Sequence, residues 1–253
     1  MVGVYLNQII NRYHLPEEID VFTRYFVVGT IEEELKNWAG LDLNKIFLSG
    51  SRSKGTAIKI SSDLDLFISL KSDCTTTLKG IYNSLFEYMK QKGYDVRKQN
   101  VSIGLKYKDL SIDLVPSKKH LGHTNYHNLY KNKTDSWTQT NVEQHIKLIK
   151  ESGRTKEIVL LKIWRKLHGL EFPSMYLELF TLEALKHKPK NDLANNFWFL
   201  LLELTTNFKS KRIVDPSNSN NIISNDLTES EKNQIVAKAI ESTRKDDWKY
   251  IIW

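Results

Sequence analysis

Two acidic residues, Asp63 and Asp65, stand two apart at the head of the run Asp63-Leu-Asp-Leu-Phe-Ile-Ser-Leu70. In an extended chain alternate side chains share a face, so both carboxylates project one way while Leu64 and Leu66 anchor the other. Like charges this close repel unless a cation lies between them. A third acid, Asp113, is flanked by Ile112 and Leu114 in another short apolar run. If it faces the same way from a neighbouring strand, three hard oxygen donors converge. Such a set suits Mg2+ or Mn2+, and two such ions about 3.5–4 Å apart stabilise both the attacking and the leaving oxygen of an in-line phosphoryl displacement.

Upstream, Gly50-Ser51 follows the apolar stretch Ile46-Phe47-Leu48 and precedes Lys54, Gly55 and Thr56. A strand that runs into small residues and then turns leaves backbone N–H groups and a hydroxyl pointing outward. These can grip a terminal phosphate, with Gly50 and Gly55 letting the backbone come close. An Asp-x-Asp pair alone is common on surface strands, and Gly-Ser alone is ordinarily a loop. It is Gly50-Ser51, Gly55-Thr56, Asp63-x-Asp65 and an apolar-flanked Asp113 together that specify a nucleotide site. The histidines His120, His123 and His127 also cluster, but among loop residues, and read as surface polar groups rather than a zinc site.

The elements that must hold these residues follow from periodicity. Ile19, Phe22, Phe26, Ile31 and Leu35 have helical spacing between Pro16 and Gly40, giving one long helix or two. Residues 45–50 and 63–70 read as strands. Leu78, Ile81, Tyr82, Leu85 and Met89 form one face of a helix ended by Gly93. Val101, Ile103, Leu105 and Tyr107 alternate, Lys108-Asp109 turns, and Ser111–Val115 returns as a strand closed by Pro116. Beyond residue 140 the pattern is helical, with helices expected near 141–151, 155–168, 174–187, 191–207 and 228–243, and a turn-rich surface loop at Asp215–Asn221. The fold class is therefore α+β. Residues 1–140 are expected to form a catalytic lobe, whose N-terminal helix can pack on the second lobe, and residues 141–253 a helical nucleotide-binding lobe, with the active site in the cleft between them.

The 253 residues carry a formal charge of +7 and 40% hydrophobic side chains, with a mean hydropathy of -0.43. This is the composition of a soluble, core-forming chain, and the charge fits either polyanionic partners or simply a lysine-rich solvated surface. The single cysteine, Cys74, allows neither an internal disulfide framework nor a thiolate zinc site and fits a reducing cytoplasm. The N-terminal stretch lacks the pattern of a secretory signal. The longest apolar run, Phe197–Leu202, is far shorter than the roughly 20 residues that span a bilayer, so no membrane partner is expected.

The run Leu48-Ser49-Gly50-Ser51, then Ser62-Asp63-Leu64-Asp65-Leu66, then Ile112-Asp113-Leu114 resembles the signature of the DNA polymerase beta nucleotidyltransferase superfamily. Within it the chain is most similar to the branch of oligoadenylate synthetase, cyclic GMP-AMP synthase and the bacterial cyclic-oligonucleotide synthases (CD-NTases). Ile158-Val-Leu-Leu-Lys162-Ile-Trp164 and Phe172-Pro-Ser174-Met-Tyr-Leu-Glu-Leu179 look like that branch's paired nucleotide-binding helices. Val214-Asp-Pro216 and Trp248 are similar to its C-terminal features. The resemblance implies a polymerase beta-like fold and a metal-dependent enzyme using NTPs, ATP among them. Such an enzyme releases pyrophosphate and makes a cyclic or linear oligonucleotide second messenger of the antiviral-signalling type.

Carried over by position, the resemblance gives Asp63, Asp65 and Asp113 to two Mg2+ or Mn2+ ions, with Asp113 also a candidate general base. It gives Gly50, Ser51 and Lys54 to phosphates, and Lys162 and Ser174 to the triphosphate. Met175 stands where relatives stack an aromatic on the base, which leaves Tyr176 or Tyr126 as stacking candidates. Without the resemblance, Lys162 reads as a solvated helix lysine and Ser174 as a helix N-cap. A second reading is an enzyme that adds nucleotides to an RNA 3' end, as CCA-adding enzymes do, with RNA as acceptor or activator. Thr138–Asn141 and His145 resemble a nucleotide-contacting segment of that group. A third is a catalytically silent nucleotide-binding module.

Overall fold

The computed structural model describes every residue except Met1, Ser62 and His123. Ser62 of the acidic motif and His123 of the histidine cluster thus lie outside the described residues. In chain order the elements are α1 (Val2–Tyr13), α2 (Val21–Thr23) continued by a π-helical turn at Arg24–Val28, α3 (Gly29–Ala39), β1 (Leu43–Leu48), α4 (Gly50–Ser53), β2 (Leu64–Leu70) and α5 (Leu78–Gln91). Next come β3 (Asp95–Lys98), β4 (Ile103–Tyr107), β5 (Leu110–Lys119), β6 (His127–Lys131), β7 (Ser136–Thr140), α6 (Val142–Ser152), α7 (Thr155–Leu167), α8 (Ser174–Ala184), α9 (Leu193–Thr206) and α10 (Glu229–Thr243). They gather into two compact units. One holds Met1–Leu15, Gly55–Ser62 and Lys147–Trp253, and the other holds Pro16–Lys54 and Asp63–Ile146. The fold is α+β.

In the second unit the strands pair in the order β1-β2-β5-β4-β3, with β6 joining the end of β5 and β7 joining β6. β2 and β5 run parallel, and the other pairs are antiparallel. Leu64, Leu66, Ile68 and Leu70 turn one face of β2 into a core with α3 and α5. From Phe67 onward the other face is buried too, and Phe67 packs on Phe47 and His127. The strand is therefore two-faced only at its start, where the acids stand, as befits a parallel pair covered on both sides.

The helical unit is built around α7, where Glu157 to Trp164 are all buried. A helix buried on all its faces over this stretch sits inside, with Glu157 and Lys162 buried beside its apolar residues, and α1, α8 and α9 pack against it. The helices after residue 140 fall close to their expected bounds, and among the described residues none is long and apolar enough to cross a membrane.

Several expectations need correction. Phe22 and Phe26, read as sharing one helical spacing with Ile31 and Leu35, are 58% and 59% exposed while Val27, Val28, Ile31 and Leu35 are buried, and the π turn at Arg24–Val28 breaks the helical period within that run. Pro116 does not close β5. It falls after β4's pairing ends at Leu114 and before β6 joins at Lys118, where a missing N–H costs no ladder bond on that side. His127 is no surface loop residue: it sits buried in β6, where Nε2 lies 2.8 Å from Ser69 Oγ. Burial holds its imidazole below the ordinary histidine pKa. In the Asp215 loop the carboxylate is buried and accepts from Ser217 N and Oγ and from Asn221 Nδ2.

Candidate functional site

The parallel pairing of β2 with β5 sets Asp65 directly opposite Asp113, so the two half-buried carboxylates stand side by side on one face. Asp63 occupies the position just before β2 and is also half-buried. Its negative charge adds to burial, the larger cause, in holding the Asp113 carboxyl above the ordinary carboxylate pKa. Gln99, Arg97 and Ser102 pull in the opposite direction. Repulsion that the sequence implied is thus present in the fold.

β1 ends against this face. Ser49 N donates to Asp65 O over 2.8 Å, and the chain then turns into α4 through Gly50 at φ +62°. A Cβ added at Gly50 would lie 1.8 Å from Asp65 Oδ2. Both the left-handed backbone and the contact require glycine there. The Gly50-Ser51 turn therefore rests on one of the acids. Ser51 is half-exposed, as is Lys54, which caps the C-terminus of α4.

Three carboxylates around one strand edge are the donor chemistry a hard divalent ion takes, and the register of Asp65 with Asp113 fits a shared ion. As placed, no three His, Cys, Asp or Glu side chains among the described residues are close enough together to hold an ion. Gln99 and Ser102, which steady Asp113, escaped sequence reading because only the loop between β3 and β4 brings them to it.

The helical unit carries the remaining candidates. Lys162 is not a solvated helix lysine: it is 2% exposed, and its Nζ donates to Glu178 Oε1 over 2.7 Å and to Thr56 Oγ1 over 2.8 Å. Ser174 is the first residue of α8, and Pro173 stands at the cap. The exposed Ser174 hydroxyl accepts from Arg165 over 3.1 Å rather than capping the helix. Arg165 also donates to Phe172 O over 2.6 Å, which ties the α7–α8 connection together. Met175 is half-buried against the core. Tyr176 is fully buried, stacked on Phe208 at 5.2 Å and edge-on to Phe172. Burial pushes its phenol up to about 12. As a base-stacking residue Tyr176 is therefore excluded here, since its ring already has protein partners. Tyr126 is half-buried, and its carbonyl accepts from His120 N.

Residues 22–152, just over half of the chain, match the Second Messenger Oligonucleotide or Dinucleotide Synthetase domain family. No curated protein matches the sequence. Among solved structures, the chain is similar to CdnC of E. coli MS115-1 with ATP, at 19% identity over 94% of this chain and 89% of that one, with a TM-score of 0.74. It is similar to the Bradyrhizobium diazoefficiens CD-NTase CdnG in complex with GTP, at 12% identity over 97% and 92%, also with a TM-score of 0.74. The Cid1 poly(U) polymerase bound to MgATP shares 14% identity over 96% and 93%, with a TM-score of 0.69. At these identities the likeness is one of fold.

Proposed function

We propose that this chain, which belongs to the Second Messenger Oligonucleotide or Dinucleotide Synthetase family and is a nucleotidyltransferase, joins NTPs, ATP among them, into a cyclic or linear oligonucleotide that acts as an antiviral signal in the cytoplasm. The observation that carries the reading is the pairing of Asp65 with Asp113 beneath the Gly50-Ser51 turn. In this reading residues 1–140 supply the chemistry and residues 141–253 help bind the nucleotide, with residues 1–15 and 55–62 packed into the helical unit.

The Ser51 hydroxyl and the backbone around Gly50 hold the triphosphate, and Lys54 adds charge. Asp63, Asp65 and Asp113 would hold Mg2+ or Mn2+. Such ions lower the pKa of the attacking hydroxyl and neutralise the departing pyrophosphate. Asp113, directly opposite Asp65 in the sheet, is placed to take the hydroxyl proton as the α-phosphorus is attacked. Ser174 contributes a hydroxyl to the triphosphate. Lys162 can do so only by leaving Glu178, so its first role is to hold α7, α8 and Thr56 together.

The test is incubation of the protein with labelled NTPs and Mg2+, with and without RNA, followed by mass spectrometry of the products. A short oligonucleotide made without RNA is the expected outcome. Nucleotides appearing only on an RNA 3' end would replace this reading with the RNA-modifying one. NTP binding without pyrophosphate release under either condition would leave the silent module.

A further inference from the structure

A side-chain relay ends on Asp113. Gln99 lies in the loop between β3 and β4, and its Nε2 donates to Asp113 Oδ1 over 3.0 Å. Ser102 Oγ in turn donates to Gln99 Oε1 over 2.7 Å. The loop itself is pinned from below: the buried Tyr82 hydroxyl of α5 reaches Gln99 O at 2.7 Å and Ser102 O at 3.1 Å, and Gln99 N donates to Ser102 O. An ionised carboxylate only accepts, so the amide must present nitrogen to Asp113 and oxygen to Ser102. The relay has a single polarity.

The strand between leaves room for it. Gly104 on β4 is the register partner of Asp113 on β5. A Cβ at Gly104 would stand 2.7 Å from Gln99 Nε2 and 2.9 Å from Arg97 Nε. In a cross-strand position where any other residue would place its own side chain beside Asp113, the fold puts an amide and a guanidinium borrowed from the loop and from β3. One N–H fixed on Oδ1 sets the plane of the carboxylate, and with it the direction of Oδ2.

We infer that Gln99 is the positioning residue for Asp113, oriented by Ser102 and admitted by Gly104, and that it sets the geometry in which Asp113 meets metal and hydroxyl. This rests on the role proposed above for Asp113. Outer partners that orient a ligating carboxylate are typically worth about 10–100-fold in metal affinity or activity.

The experiment compares wild type with Gln99→Met, Gln99→Ala, Ser102→Ala and the Gln99→Ala/Ser102→Ala double variant. It measures kcat, KM for NTP, and Mn2+ affinity by electron paramagnetic resonance in the presence of a non-hydrolysable ATP analogue. Expected are kcat and Mn2+ affinity lowered by about 10–100-fold in both Gln99 variants, with KM for NTP little changed. Ser102→Ala should show a smaller loss of the same kind, and the double variant a loss between that of Gln99→Ala and the sum of the two, because Ser102 both orients Gln99 and reaches Asp113 itself. Gln99→Met keeps side-chain volume, so it reports on the amide even if Gln99→Ala folds poorly. Parental kcat and Mn2+ affinity in Gln99→Met, with Asp113→Ala inactive, would overturn this inference alone. Turnover surviving in Asp113→Ala would remove the role of Asp113 and this inference together.

Discussion

The acids of β2 and β5 and the buried pair Lys162–Glu178 are opposites in electrostatic design. In the sheet unit Asp65 stands opposite Asp113 at half-buried positions, and burial, then the charge of Asp63, raise the Asp113 pKa. In the helical unit Lys162 and Glu178, both almost without exposure, meet at 2.7 Å, with Thr56 Oγ1 accepting a further hydrogen bond from the ammonium. One place gathers acids of one sign, and the other joins an ammonium to a carboxylate. The first character suits the ion and phosphate proposed for it, and the second suits a pair that fastens helices together.

The contrast can be broken first at Asp113. Asp113→Ala should lower turnover by about 100- to 10,000-fold, the range for a lost acid–base group, in a steady-state assay of NTP consumption, while the melting temperature stays level or rises. Glu178→Ala should do the reverse. It leaves Lys162 buried without its carboxylate, so urea unfolding should show a loss of about 3–5 kcal/mol, whereas replacing both partners by apolar residues of similar volume should cost far less.

A finer test uses pH without divalent ions. The folded-state pKa of Asp113 is raised, so its protonated form is favoured by folding. That stability is fully present below the unfolded pKa of about 3.9 and is lost as pH rises through the higher folded value. Asp113→Asn should therefore match wild type in the acid range and overtake it in urea unfolding as pH climbs. Smaller still, Ser174→Ala should raise KM for NTP by no more than about tenfold, one factor of 1.4 kcal/mol. It should cost less stability than the ~1 kcal/mol of a true cap, since Pro173 holds that position. At the bottom of the scale, Phe22→Ser should stay within about 0.5 kcal/mol of wild type in unfolding free energy, as an exposed position would.

Where sequence carried information, it did so through short periods. The alternation at Leu64–Leu70, the hairpin across Lys108-Asp109 and the helical faces after residue 140 each appear where expected, because burial on one face imposes a repeat that local composition records. β3, with the sequence Asp-Val-Arg-Lys, and the polar hairpin β6–β7, which exposes Trp137, carry no such repeat; they are strands because neighbours pair with them. The apolar flanks of Asp65 and Asp113 marked both as strand acids, whereas their alignment is set by the parallel register of β2 with β5. The burial of Lys162 was not legible, because it depends on Glu178, sixteen residues away on another helix. Tyr176 looked available only because a residue on a helix of mean apolar character does not announce which neighbours it will meet. Gln99 depends on a loop path and on the empty side of Gly104, neither of which leaves a pattern in the chain.

The placement of α1 bears on how the protein comes into being. Leu6, Ile9 and Ile10 share a core with α7, α9 and the last turns of the chain, and Tyr5 Oη donates to Ile252 O, 247 positions later. During synthesis at about 5–20 residues per second, this apolar helix is made 247 positions ahead of Ile252 and must wait for α7, α9 and that residue before it can find its seat. Contacts so distant in sequence close slowly. A ribosome-bound intermediate with α1 unsheltered is the expected consequence, and with it a window in which chaperones would meet this protein.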